Sequence, residues 1–203
     1  MTAILGGALA GLAAVVWVRW AVLRWAVPYE GETARPVPLP AQAAVTVAVG
    51  AAVGYGYGAP GWPVLVWLAL LGVPLGLIDA SVHRLPDVLT LPLALGTAAL
   101  LVLTERQSLL RCLLAALALG LGFALLALLV PIGLGDAKLA PSLGALLAVT
   151  GWSTVRSGLL LAVLFAGLWA VALLATRRAG RRDDLAFGPP LLLGTLAAVL
   201  LAQ

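Results

Sequence analysis

The run Cys112–Val130, CLLAALALGLGFALLALLV, holds 19 consecutive uncharged residues and leads through Pro131-Ile132-Gly133-Leu134-Gly135 to an acid and a base, Asp136 and Lys138. About 18 or more apolar residues in a row are enough for a helix to cross the hydrocarbon core of a bilayer, and a buried helix of a water-soluble domain rarely needs so many. Outward from this run the same pattern recurs between Gly, Pro and charge punctuation. It gives eight expected spans, at about 3–23, 41–58, 62–79, 88–104, 108–131, 137–151, 155–176 and 189–202. The second span, with Gly50, Gly54, Gly56 and Gly58, and the short sixth, with Pro141 and Gly144, are the two expected to tilt or break.

Composition agrees with this reading. Of 203 residues, 63% are hydrophobic and 10% charged, where soluble domains average about 45–50% and about 25%. Eight spans of about 20 residues consume roughly 160 and leave roughly 40 for all loops, so no separate soluble domain fits. The fold class is therefore all-α, a polytopic membrane protein of about eight transmembrane helices. The net charge of +4 comes from scattered basic residues rather than a basic face, which argues against a nucleic-acid partner. A single cysteine, Cys112, rules out a disulfide framework and a multi-cysteine zinc site. Nothing before Arg19 is charged, so the first apolar stretch is expected to be a retained span rather than a secretory signal.

Short loops rich in Lys and Arg stay in the cytoplasm. The odd loops and their flanks carry Arg19, Arg24, Arg35, Arg84, Lys138, Arg177, Arg178, Arg181 and Arg182; the even side carries Arg106, Arg111 and Arg156. Eight spans then place both termini outside and put Asp79 and Asp136 on one, cytoplasmic, face. No inverted repeat of the kind found in transporters is visible in the two halves.

Most of the eight acidic residues sit in evident loops, but Asp79 is expected to end the third span, Asp87 to open the fourth, and Asp136 to end the fifth. A lone aspartate at a helix end usually caps or marks the water boundary. Two that converge do more, because neighbouring like charges cannot both ionise easily and the pair holds one proton. The unprotonated member can take a proton from water while the protonated one polarises a peptide carbonyl, which hydrolyses an amide without metal or covalent intermediate. His83 has no cysteine or serine partner that would make a triad, and no His, Cys and carboxylate cluster has metal-site spacing. The glycines before Asp136 allow a sharp bend and close approach of an extended substrate, or simply a helix cap and turn.

Ile78-Asp79-Ala80-Ser81-Val82-His83-Arg84-Leu85-Pro86-Asp87-Val88-Leu89-Thr90-Leu91-Pro92 resembles the first active-site segment of the type IV prepilin peptidases, an aspartate followed eight residues later by that of LPD-x-LT-x-P. Gly133-Leu134-Gly135-Asp136-Ala137-Lys138-Leu139 resembles their GxGD-x-K segment, and Phe187-Gly188-Pro189 their FGP segment. The three motifs occur in the family's order over about residues 65–203. The resemblance implies that Asp79 and Asp136 are the catalytic pair, with Gly133, Gly135, Lys138, Pro86 and Asp87 as supporting motif residues. Asp87 would cap the fourth span or hold its loop, one helical turn from His83 if the loop continues helically, and Lys138 would hold its own loop or bias Asp136.

The implied substrate is a prepilin or pseudopilin, cut after its short basic leader at the cytoplasmic face of the bacterial plasma membrane; no cofactor is implied. The resemblance also implies one membrane peptidase domain over 1–203, with divergent N-terminal helices in 1–60 and a catalytic core in 62–203. Longer family members carry a zinc and N-methyltransferase domain between the first two helices. Residues 24–40 have no cysteine and are too short for it, so this chain resembles the peptidase-only form. Arg177, Arg178, Arg181 and Arg182 are weaker candidates, for anionic lipid or an acidic residue of the substrate, beside the plain reading as a positive cytoplasmic loop. Presenilin-like proteases share GxGD and a second aspartate, but the other two segments favour the prepilin type. A proton-coupled transporter and an idle pilus or secretion assembly protein stand as competing classes.

Overall fold

The computed structural model describes residues 1–28, 37–129, 134–175 and 186–203. Eight α-helices occur among them: α1 (Thr2–Trp25), α2 (Leu39–Tyr55), α3 (Trp62–Val82), α4 (Asp87–Thr104), α5 (Leu109–Leu129), α6 (Leu134–Thr150), α7 (Trp152–Ala175) and α8 (Gly188–Leu201), with a single 3-10 turn at Arg106–Ser108. The protein is all-α, and five of these segments are long and apolar enough to cross a membrane.

The helices divide into interior and rim. Thirteen of the 21 residues of α3 are buried, and Ser142–Val149 of α6 is buried without a break. By contrast α1 buries four of 24 residues and α5 three of 21, and their outward positions carry leucines such as Leu9, Leu12, Leu121 and Leu128. In lipid this exposure costs nothing, because acyl chains are as apolar as leucine. The lower apolarity of α6, with Asp136, Lys138 and Ser142, is tolerated because protein rather than lipid surrounds most of it.

Three boundaries differ from the sequence reading. Helix α3 runs on to Val82, so Asp79 lies in its last turn and not at its end. Helix α6 starts at Leu134, which moves Asp136 from the end of the preceding helix into the first turn of its own; an acid is favourable there because the unpaired N–H groups and dipole present positive charge. Helix α2 stops at Tyr55, and the glycine-rich stretch after it forms a turn in which Gly58 and Gly61 take positive φ of 87° and 76°. Neither α2 nor α6 breaks. Pro141 is accommodated inside α6 against Gly120 of α5, where a Cβ would come within 2.9 Å of its ring.

Helices α1 and α2 meet through two facing small-residue pairs, Gly7 with Gly11 and Gly50 with Gly54. A Cβ on Gly50 would lie near the carbonyl oxygen of Gly7, and one on Gly11 would lie 2.7 Å from the carbonyl oxygen of Thr46. Such backbone approach maximises van der Waals contact where no hydrophobic force draws helices together. At the end of the bundle away from Asp79, polar ties fix the turns: the Gly61 N–H donates to Glu105 Oε1 at 2.7 Å, and Arg111 donates to the carbonyls of Ala148 (2.5 Å) and Val149 (2.6 Å).

Gly50→Val should force α1 from α2 and cost about 2 kcal/mol as an overpacking change. The midpoint of thermal unfolding in detergent should fall by about 4–8 °C. Gly6→Ala, one residue from the interface with nothing within 4 Å of its Cβ position, should leave it unchanged. Equal midpoints for both variants would show that the glycine contact does not hold the pair.

Candidate active site

Helix α3 ends because His83 adopts a left-handed conformation, φ 52°, with its N–H donating to the Asp79 carbonyl at 2.8 Å. The chain then runs through Leu85 and the extended Pro86, and α4 begins at Asp87. The break removes the expected helical continuation: His83 is exposed at the helix terminus and is not one turn from Asp87. It leaves Asp79 one turn below the end of α3, with 6% of its surface accessible.

Asp136, 5% exposed in the first turn of α6, lies within electrostatic reach of Asp79. Two further contacts seat the segments on each other. Leu85 packs so closely on Gly135 that a Cβ there would come within 3.0 Å of it. Lys138 donates to Asp87 Oδ1 at 2.5 Å. The first sequence motif therefore meets the second at three levels: buried carboxyls, an apolar seat, and an ion pair open to solvent. Pro86 rather than Asp87 is the N-cap of α4; Asp87 opens the helix as a first-turn acid, accepts from the Thr90 hydroxyl and pairs with Lys138. The ammonium of Lys138 is thus engaged by Asp87, which makes it a tie between the N-terminal turns of α4 and α6.

Helix α8 supplies the third wall. Its N-cap is Phe187, whose ring lies 6.1 Å from that of Phe123 in α5. Gly188 follows, and its N–H donates to Asp79 Oδ2 at 3.0 Å. A Cβ on Gly188 would come within 2.7 Å of that oxygen, so only glycine permits the approach. Reading of the sequence did not select Gly188 as a site residue, although the Phe-Gly-Pro segment that contains it was the available signal. Gly133, Arg177, Arg178, Arg181 and Arg182 lie outside the described residues.

An apolar groove of about 330 Å³ runs between α2, α3 and α8; neither carboxyl lines it, but Ala80 and Pro189, the chain neighbours of Asp79 and Gly188, do. A larger cavity of about 700 Å³ lies along the glycine seam of α1 and α2 and contains no acid. Volume therefore does not mark the site; the convergence of acids does.

The model of the type IV leader peptidase family matches residues 63–174. The match spans α3 to α7 and includes both Asp79 and Asp136, while α1, α2 and α8 fall outside it. No curated protein and no solved structure matches the chain.

Lys138→Met and Asp87→Asn should each lower the thermal midpoint slightly, as expected of a pair this exposed. The double variant should fall no further than the worse single one, and the coupling should shrink in high salt. Additive losses would mean that the two side chains act separately.

Proposed function

The chain belongs to the type IV leader peptidase family, and from that premise we propose that it is a membrane aspartyl endopeptidase in which Asp79 and Asp136 activate water to cut the leader from a prepilin or pseudopilin. The observation that carries this reading is the burial of two carboxyl groups, from separate motifs, within electrostatic reach of each other at one end of the bundle. One carboxylate takes a proton from water while the other carboxyl group donates to the peptide carbonyl. The resulting tetrahedral intermediate collapses with proton transfer to the departing amine, leaving a new carboxyl group and a new amine. No metal or covalent intermediate is needed.

The position of the pair favours proteolysis over transport. Transport sites lie near the bilayer midplane, where two access routes meet. Asp79 occupies the last turn of α3 and Asp136 the first turn of α6, so both belong to a helix end, where a polar leader remains in water while an apolar segment lies in lipid. A pilus or secretion assembly protein without chemistry has no use for two buried acids, which are costly within a membrane. The excess of Lys and Arg in the loops at that end supports a cytoplasmic location for it.

Co-expression with a candidate prepilin, with leader removal read by mass shift, tests the mechanism. Asp79→Asn and Asp136→Asn should each slow cleavage at least about 100-fold at unchanged membrane level, the scale of a lost acid or base. Survival of cleavage in either variant would move that residue to a structural role.

Orientation is tested by labelling. With the buried Cys112 replaced by Ala, cysteines at Arg84 and Arg106 should divide: an impermeant maleimide on intact cells stripped of their wall should label position 106 and not 84. The reverse pattern would place the aspartates on the outer face.

A further inference from the structure

Two prolines strip the start of α8 of donors. Its first three residues are Gly188, Pro189 and Pro190, and proline has no N–H, so within that turn only Gly188 offers one. The next N–H, of Leu191, is already committed to the Phe187 carbonyl at 3.1 Å. A helix start normally directs several N–H groups outward; this one directs a single N–H, and it is used on Asp79 Oδ2 at 3.0 Å. The glycine is required by space as well, since a Cβ would press on both Oδ2 (2.7 Å) and Cγ (3.2 Å) of Asp79.

We propose that Gly188 is a positioning residue for the peptidase reaction: its N–H fixes Asp79 Oδ2 as an acceptor and so turns Oδ1 toward the water and Asp136. This inference rests on the two-aspartate reading given above. An oxygen that receives an N–H is not available along that line to hold the shared proton. Among the described residues no other side chain or N–H donates to Asp79. The ionisable groups that face it are Asp136 from α6 and His83 from the end of its own helix. Without the Gly188 contact the carboxyl plane of Asp79 is free to rotate, and the geometry of water attack is lost while the surfaces that would bind the substrate's apolar segment keep their shape.

The contact itself can be read in the intact protein, in detergent micelles or nanodiscs. The chain has three phenylalanines, and only Phe187 is followed by glycine. Labelling with carbonyl-13C phenylalanine and 15N glycine therefore yields a single carbonyl-to-amide correlation, that of Gly188. Its proton should resonate downfield, move upfield in Asp79→Ala, and exchange faster there. An unchanged resonance would overturn the proposal without any variant at position 188.

The functional half uses Gly188→Ala against Gly194→Ala, a glycine of the same helix whose Cβ would strike the backbone of Ala162 (2.5 Å) and Gly158 (2.8 Å) far from the acids. Gly188→Ala should lower kcat per folded enzyme about 100-fold with KM within about threefold, as expected of a misplaced reacting group. Its solvent deuterium isotope effect on kcat should rise, a ratio that does not depend on how much of the sample is folded. Gly194→Ala should lose folded protein and keep the wild-type isotope effect. Gly188→Ala with the wild-type isotope effect, and loss only of folded protein, would reduce Gly188 to a packing residue. That failure is distinct from failure of the dyad, which shows as cleavage surviving Asp79→Asn or Asp136→Asn.

Discussion

Two carboxyl groups buried side by side in an apolar helical bundle are the constraint around which this protein is arranged. Removing a carboxylate from water is costly, and lipid offers no compensation, so neighbouring helices must supply it. Asp136 lies in the first turn of α6, where its own helix presents unpaired N–H groups. Asp79 sits in a last turn, the wrong end of its own helix, and is met by the N-terminal Gly188 of α8. Asp87 opens α4 in the same way and faces Lys138. The starts of α4, α6 and α8 thus gather at one end of the bundle, each with an aspartate against it, so the positive ends of three helices oppose three acids.

This arrangement depends on chain parity. Even-numbered helices start where odd-numbered ones finish, so the end of α3 and the starts of α4, α6 and α8 share one end of the bundle. The ties at the opposite end, Glu105 to the Gly61 N–H and Arg111 to the last carbonyls of α6, hold the turns that keep this alternation in register. Between the ends, contact is made by absence of side chains. Glycines of α1 and α2 face each other, and Gly120 receives Pro141, since in lipid close packing must supply the attraction that water provides to a soluble core.

The family match and the glycine seam divide the molecule in a consistent way. The matched residues begin at position 63, one residue into α3, and contain both acids. The α1 and α2 hairpin outside the match is joined internally by its own glycines and bounds the apolar groove through Val45 and Val49. Helix α8, also outside the match, is nevertheless the one that touches Asp79.

Helix number and membrane class were legible in the sequence, because crossing a bilayer demands a fixed length of apolar chain and charged residues stand out against it; Asp79 and Asp136 were singled out as a pair by the resemblance of their motifs. The ends of helices were less so. Nothing local announces that α3 runs three residues past Asp79, or that Asp136 belongs to the start of α6 and not the end of α5, since both outcomes satisfy the same apolar pattern. The Lys138 pair with Asp87, the seat of Leu85 on Gly135 and the Gly188 contact join residues 51, 50 and 109 positions apart, respectively. The sequence by itself determined an all-α bundle of mostly apolar helices with acids near helix ends. Which backbone N–H those acids receive, and which side chain is engaged by which, was decided only by the tertiary structure, because such partners are chosen by helix approach and not by spacing along the chain.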